Sequence, residues 1–149
     1  MSKIKFKILG IPQPKQSARF KSQRFGNKTF IKSYQPDKVV ENERNIAFDV
    51  KSQLPVGFIP FDTAIHVKKL LYVFPPQKNW SKKKLKELEK GKIFYKETKP
   101  DLTDNLNKGL FDAMNGIVYT DDARICKMSD VEKIYGLVPR IELEFEKLV

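Results

Sequence analysis

The chain has 149 residues and a formal net charge of +11, from 29 lysines and arginines against 18 acidic residues. That length suits one domain with a real core, and the charge argues for a polyanionic partner, because basic side chains at phosphates release condensed counterions. A single cysteine, Cys126, and a single histidine, His66, exclude an intramolecular disulfide and a paired-histidine zinc site. No apolar run is long enough to span a bilayer, and the N-terminal Met-Ser-Lys-Ile-Lys-Phe-Lys lacks the apolar centre of a signal peptide, so a cytoplasmic protein is expected.

Residues Lys3 to Leu9 alternate Ile4, Phe6 and Ile8 against Lys3, Lys5 and Lys7, the period of a half-exposed strand. Pro12 and Pro14 break it. From Lys15 to Lys32, the basic residues Lys15, Arg19, Lys21, Arg24, Lys28 and Lys32 interleave with Phe20, Phe25 and Phe30. The pattern suits a basic loop or ribbon on a nucleic-acid surface, and equally a hairpin whose phenylalanines face the core while its charges are merely solvated. Pro36-Asp37 opens a helix to about Leu54, striped by Val39, Val40, Ile46, Ala47 and Val50 and stopped by Pro55. A strand is expected from Thr63 to Phe74, then a short helix from Lys82 to Lys90 capped by Ser81. The run Lys82-Lys83-Lys84 reads as a solvated face. A short strand from Ile93 to Thr98 and a helix from about Leu102 to Asn115 follow. Two strands, near Ala123 to Lys133 and Arg140 to Phe145, close the chain. With no repeat and no linker, residues 1–149 are expected to form one α+β domain. Cys126 is expected to be a small buried residue on a strand and His66 a strand surface residue.

The informative segment runs from Lys99-Pro-Asp to Asn115-Gly and on to Ile117-Val-Tyr-Thr-Asp-Asp. With Asp104 at zero on a helical wheel, Asn105, Lys108, Asp112 and Asn115 share its sector, and Asp101 joins if the first turn is regular. Leu102, Leu106, Leu110 and Ala113 fall on the opposite, core side. Like charges three and four positions apart repel on a helix. The helix dipole offsets part of this at Asp101 and Asp104, and a divalent cation would offset more. Magnesium takes one or two carboxylates together with water and phosphate oxygens, which Asp101 and Asp104 would supply. Lys108, one turn beyond Asp104, is placed for the same phosphate. Asp121-Asp122 follows a return that would bring one of them back toward the start of the helix. Each feature also has a structural reading: Asp101 or Thr103 as an N-cap, Asp112 paired with Lys108, and Asp121-Asp122 as a turn.

At Lys99-Pro100-Asp101, Asp104-Asn105-Leu106, Lys108, Leu110, Asp112 through Val118 and Asp121-Asp122, the sequence resembles the RusA family of crossover-junction endodeoxyribonucleases. The resemblance extends more loosely to the N-terminal strand and its exit, Gly10-Ile-Pro-Gln-Pro-Lys15. It implies a RusA-like mixed sheet packed with helices. It also implies three magnesium-binding aspartates, matching Asp101, Asp104 and Asp122, with manganese as a substitute, and a lysine needed for cleavage, matching Lys108. The familiar spacing is Pro-Asp-x-Asp-Asn, whereas Pro-Asp-Leu-Thr-Asp-Asn here carries one extra residue, which an intact helix start would convert into a rotated Asp101. Asp121 is the alternative to Asp122, since neighbours on a strand point to opposite faces. The implied activity is paired, metal-dependent hydrolysis at Holliday junctions by a homodimer, in recombination and repair, often in phages or prophages. Lys15, Arg19, Lys21, Arg24 and Lys28 would track the DNA. A branched-DNA-binding protein without catalysis is the alternative.

Overall fold

The computed structural model describes residues 2–15, 19–34 and 37–148; side chains 19–21, 23, 25, 30 and 32–34 lie outside that description. Strand β1 (Lys3–Leu9) buries Ile4, Phe6 and Ile8 and exposes the intervening lysines, as its period of two dictates. Strands β2 (Arg19–Phe25) and β3 (Lys28–Tyr34) form an antiparallel ribbon, a sheet of their own. Helix α1 (Asp37–Gln53) buries Val39, Ile46 and Val50. Strand β4 (Ile65–Phe74), paired on both sides within the second sheet, is buried along its length except at Lys68 and Lys69. Helix α2 (Lys82–Glu89) begins as expected, with Ser81 Oγ accepting from the Lys84 amide at 3.2 Å.

The main sheet has five strands. Its order is β1, then β7 (Arg140–Lys147), then β4, with β5 (Ile125–Met128) and β6 (Val131–Tyr135) following one another along the remaining edge of β4. β1–β7 and β7–β4 are antiparallel, whereas β5 and β6 both run parallel to β4. Helix α3 (Asn107–Ala113) packs beside α1, and its Leu110, Phe111 and Ala113 join Phe6, Ile46, Tyr72 and Phe145 in one core. The molecule is a single-domain α+β fold with a mixed sheet.

Four expectations need correction. The strand expected across Ala123 to Lys133 is two strands, parted at Ser129-Asp130, where Asp130 takes φ 46° and the Ser129 amide donates to Val67 O at 2.8 Å. The segment 93–98 is not a strand; it lies along β6 through one bridge, Tyr95 to Ile134, and the bonds Tyr135 N–Phe94 O (2.9 Å) and Lys96 N–Lys133 O (3.1 Å). His66 is buried, with its Nε2 2.8 Å from Ser129 Oγ, while Cys126 is exposed. His66 is covered by Ser129, at the junction of β5 and β6, whereas Cys126, Lys127 and Met128 of β5 all face solvent.

Candidate functional site

The site helix begins with a wide turn. Leu106 N donates to Asp101 O at 3.0 Å and Asn107 N to Leu102 O, an i→i+5 pattern over Leu102–Leu106 before α3 resumes ordinary geometry. A residue added to an α-turn is absorbed by such a π-turn, a form common at functional sites. The first turn is therefore not regular, but the extra residue leaves the α3 register intact: Leu106, Leu110 and Ala113 still face the core. Asp101 stands at the N-cap position with extended backbone (φ −70°, ψ 137°), yet its carboxylate makes no capping bond. Asp101, Asp104 and Lys108 are all exposed.

Buried tyrosines tie this helix to the sheet. Tyr72 OH on β4 donates to Asn107 Oδ1 at 2.8 Å, and Tyr119 OH donates to Phe111 O at 2.6 Å. Burial raises the pKa of both phenols, with nearby Asp122 and Asp112 adding to the effect at Tyr119, so both remain protonated donors. Gly116, at φ 77°, turns the chain so that its amide meets Tyr119 O at 2.7 Å.

The loop carrying Asp121 and Asp122 is held from two directions. Asn115 Oδ1, just beyond the C-terminal end of the site helix, accepts the Asp122 amide at 2.8 Å, so the return leads to that end and not back toward the helix start as expected. On the other side, Asp62 Oδ1 accepts from Thr120 Oγ1 at 2.7 Å and from Arg124 at 3.0 Å, and the Thr120 amide donates to Phe61 O at 2.9 Å. The Thr120 hydroxyl and the Arg124 charge hold the Asp62 carboxyl below its usual pKa. Asp122 lies in a 3₁₀ turn, Asp122–Arg124, and not on a strand, so the expectation that Asp121 and Asp122 point oppositely does not apply. Burial raises the Asp122 pKa, as do its hydrogen-bonding and charge interactions with Asp121 and Asp112. The structure thus brings Asp112, Asp121 and Asp122 together. Among the described residues, no group of three or more histidine, cysteine or acidic side chains is arranged to enclose a metal, and none of the hydrogen bonds joins the Asp101 or Asp104 side chain to Asp122.

Lys15 occupies an unexpected place. Its ammonium lies 2.9 Å from Asp112 Oδ2 and 2.8 Å from Glu43 Oε1 of α1, with its side chain only 16% exposed. Asp112 therefore pairs with Lys15 and not with Lys108. The Lys15 amide also donates to Asn105 O at 3.0 Å, and its backbone passes so close to α3 that a Cβ on Gly109 would sit 3.1 Å from Lys15 Cβ. Glycine at 109 permits that approach. Burial opposes the charge on Lys15, but the two carboxylates outweigh it and raise its pKa above the ordinary lysine value. Of the other residues expected to track DNA, Arg24 and Lys28 are exposed on the ribbon, while the side chains of Arg19 and Lys21 lie outside the described residues.

Sequence reasoning also missed Lys133. Its ammonium donates to Thr98 O at 2.7 Å and Pro100 O at 2.8 Å, fixing the chain that delivers Asp101. No spacing rule links residues 33 and 35 positions apart; only the alignment of segment 93–98 along β6 does.

The family model described as "Endodeoxyribonuclease RusA" matches residues 10–146, which includes every element of this site. The chain belongs to the RusA endodeoxyribonuclease family. It is also 30% identical over 143 residues to the uncharacterized protein YqaN of Bacillus subtilis (strain 168), covering 96% of this chain and 95% of that relative. RusA membership makes the chain a nuclease by family and agrees with the α+β fold. Among the described residues, no helix is long and apolar enough to cross a membrane.

Proposed function

We propose that this RusA-family chain is a magnesium-dependent endonuclease that resolves Holliday junctions by paired phosphodiester hydrolysis, acting as a homodimer in DNA recombination and repair. One observation carries the reading: the Asp121-Asp122 loop is bonded to the end of the helix that bears Lys108, within a match that spans nearly the whole chain. Aspartates are hard oxygen donors of the kind magnesium selects. The crowding of Asp122 by Asp121 and Asp112 is the electrostatic situation that a divalent cation relieves.

Asp101, Asp104 and Asp122 are the residues proposed to hold magnesium, or manganese in its place. When bound, the metal supplies an activated water and charge stabilisation for hydrolysis at phosphorus. Lys108 is exposed on the same helix and would neutralise negative charge developing on the phosphoryl oxygens. Asn115 and Asp62 hold the Asp122 loop from either side, which limits the motion of that carboxylate. The exposed Arg24 and Lys28, with Arg19 and Lys21, would follow the junction arms by phosphate contacts. A two-fold dimer matches a substrate with two symmetric scissile strands.

The test is a cleavage assay on a synthetic mobile four-way junction beside linear duplex, flap and single-stranded controls, with wild type and Asp104→Asn. Paired, metal-dependent nicks confined to the junction and lost in the variant are expected, with junction binding retained. Binding of junctions by wild type without cutting would replace this reading with that of a non-catalytic branched-DNA-binding protein. Cutting of flaps or duplex in preference would keep the chemistry and overturn the substrate.

A further inference from the structure

Beyond the ribbon, a second basic surface stands out. Residues 78–99 hold nine lysines against three glutamates, so over half of the chain's excess positive charge falls in one short stretch. Sequence alone reads the run at Lys82 as a solvated face. The tertiary structure gathers part of the stretch into one place. Trp80 packs edge-on against Phe94 at 5.2 Å and against Tyr135 of β6 at 4.9 Å. Lys84 Nζ sits 4.0 Å from the Trp80 ring and 5.2 Å from Phe94, Lys92 Nζ 5.1 Å from Phe94, and Lys96 Nζ 5.2 Å from Tyr135. Three ammoniums from α2, the turn after it and segment 93–98 thus ring a single aromatic cluster.

We propose that this lysine-ringed cluster is a second DNA-contact surface, which tracks the phosphates of a duplex arm leading away from the nuclease site; the proposal extends the nuclease reading above. Three features favour it over a solvated face. A lysine held over an aromatic ring has already lost much of the rotamer freedom that a phosphate contact would otherwise remove. Among the described residues, Lys84 and Lys96 have no carboxylate within ion-pair distance, and Lys92 has only Glu87 at 3.4 Å, so the charge is available. The surface is also physically continuous with the site: segment 93–98 is bonded along β6, Lys133 anchors Pro100 O at 2.8 Å, and the next residue is Asp101. Lys99 and Lys96 are the basic residues that immediately precede Asp101 on that segment. A protein partner with an acidic surface would also suit the charge, but the bonded connection between the cluster and the segment that carries Asp101 favours DNA.

The full chain is tested with metal withheld by EDTA, measuring four-way-junction and duplex binding against salt. Replacing Lys84, Lys92 and Lys96 by Gln should flatten the slope of log K against log salt by roughly 2–3 and weaken binding by on the order of ten- to a hundred-fold near ~0.15 M salt. The arginine triple variant should keep the wild-type slope. A control with equal charge loss, Lys3→Gln, Lys5→Gln and Lys51→Gln, away from β6, should change the slope by less than about 1. In wild-type protein, bound DNA should shield Lys84, Lys92 and Lys96 from amine acetylation, a reading that needs no variant. A patch variant that binds like the control, with all three lysines still acetylated in the complex, overturns the proposal. That result leaves the nuclease reading intact if wild type still cuts junctions, whereas binding at the patch without cutting by wild type would sink the nuclease reading alone.

Discussion

Lys15→Met removes the cation that Asp112 and Glu43 share while roughly keeping its aliphatic volume. The two carboxylate side chains are 25% and 29% exposed and that of Lys15 16%, so the triad lies between a surface ion pair and a fully buried one. Surface pairs contribute up to about 1 kcal/mol, and removing one partner of a buried pair costs about 3–5 kcal/mol. Partial exposure of the orphaned carboxylates puts the expected loss near 2–3 kcal/mol. For a chain of this length each kcal/mol moves Tm by about 2–4 °C, so a fall of roughly 4–12 °C is expected by calorimetry. A double-mutant cycle with Asp112→Asn should show coupling above about 1 kcal/mol, since the two groups share one hydrogen bond. A Tm within about 1 °C of wild type would show that the clamp between the N-terminal segment and α3 contributes nothing to stability, and additive losses would show that Lys15 and Asp112 are not coupled.

Tyr119→Phe leaves the Phe111 carbonyl without its buried donor and should cost about 1–2 kcal/mol in urea unfolding; an unchanged midpoint would mean that another group takes up that carbonyl. Lys133→Met frees the carbonyls of Thr98 and Pro100, so junction cleavage should fall at least ~10-fold through looser placement of Asp101, with Tm nearly unchanged; wild-type turnover would remove Lys133 from the positioning of the site. Stability should also fall in alkali. The pKa values of Lys15, Tyr72 and Tyr119 are all raised in the folded chain, so above about pH 10 the unfolded chain binds fewer protons and ΔG of unfolding declines as pH rises. Urea midpoints that stay flat from about pH 9 to ~11.5 would contradict those shifts.

The parts of this protein legible in the sequence are those fixed by neighbours along the chain. The alternation in β1 fixed its buried face, because side chains in a strand point to opposite sides at a period of two. The stripe in α1, the Ser81 cap of α2 and the core side of α3 follow from local periodicity in the same way. The aspartates and Lys108 are legible as a site because their order along the chain is unusual for so basic a composition. Tertiary structure decided what depends on residues far apart. It paired Lys15 with Asp112 across 97 positions, moving a residue expected on the DNA surface into a clamp beside the carboxylates. It buried His66 under Ser129 and left Cys126 exposed, because what packs on each face of a sheet, and not strand composition, determines which side chains are covered. It absorbed the extra residue before Asp104 into a π-turn, which backbone hydrogen bonding and the buried Leu106 settle together. Short-range pattern thus determined the elements and the candidate chemistry, while the close packing of distant segments determined which charges meet, since electrostatic partners are chosen by distance in space and not by distance along the chain.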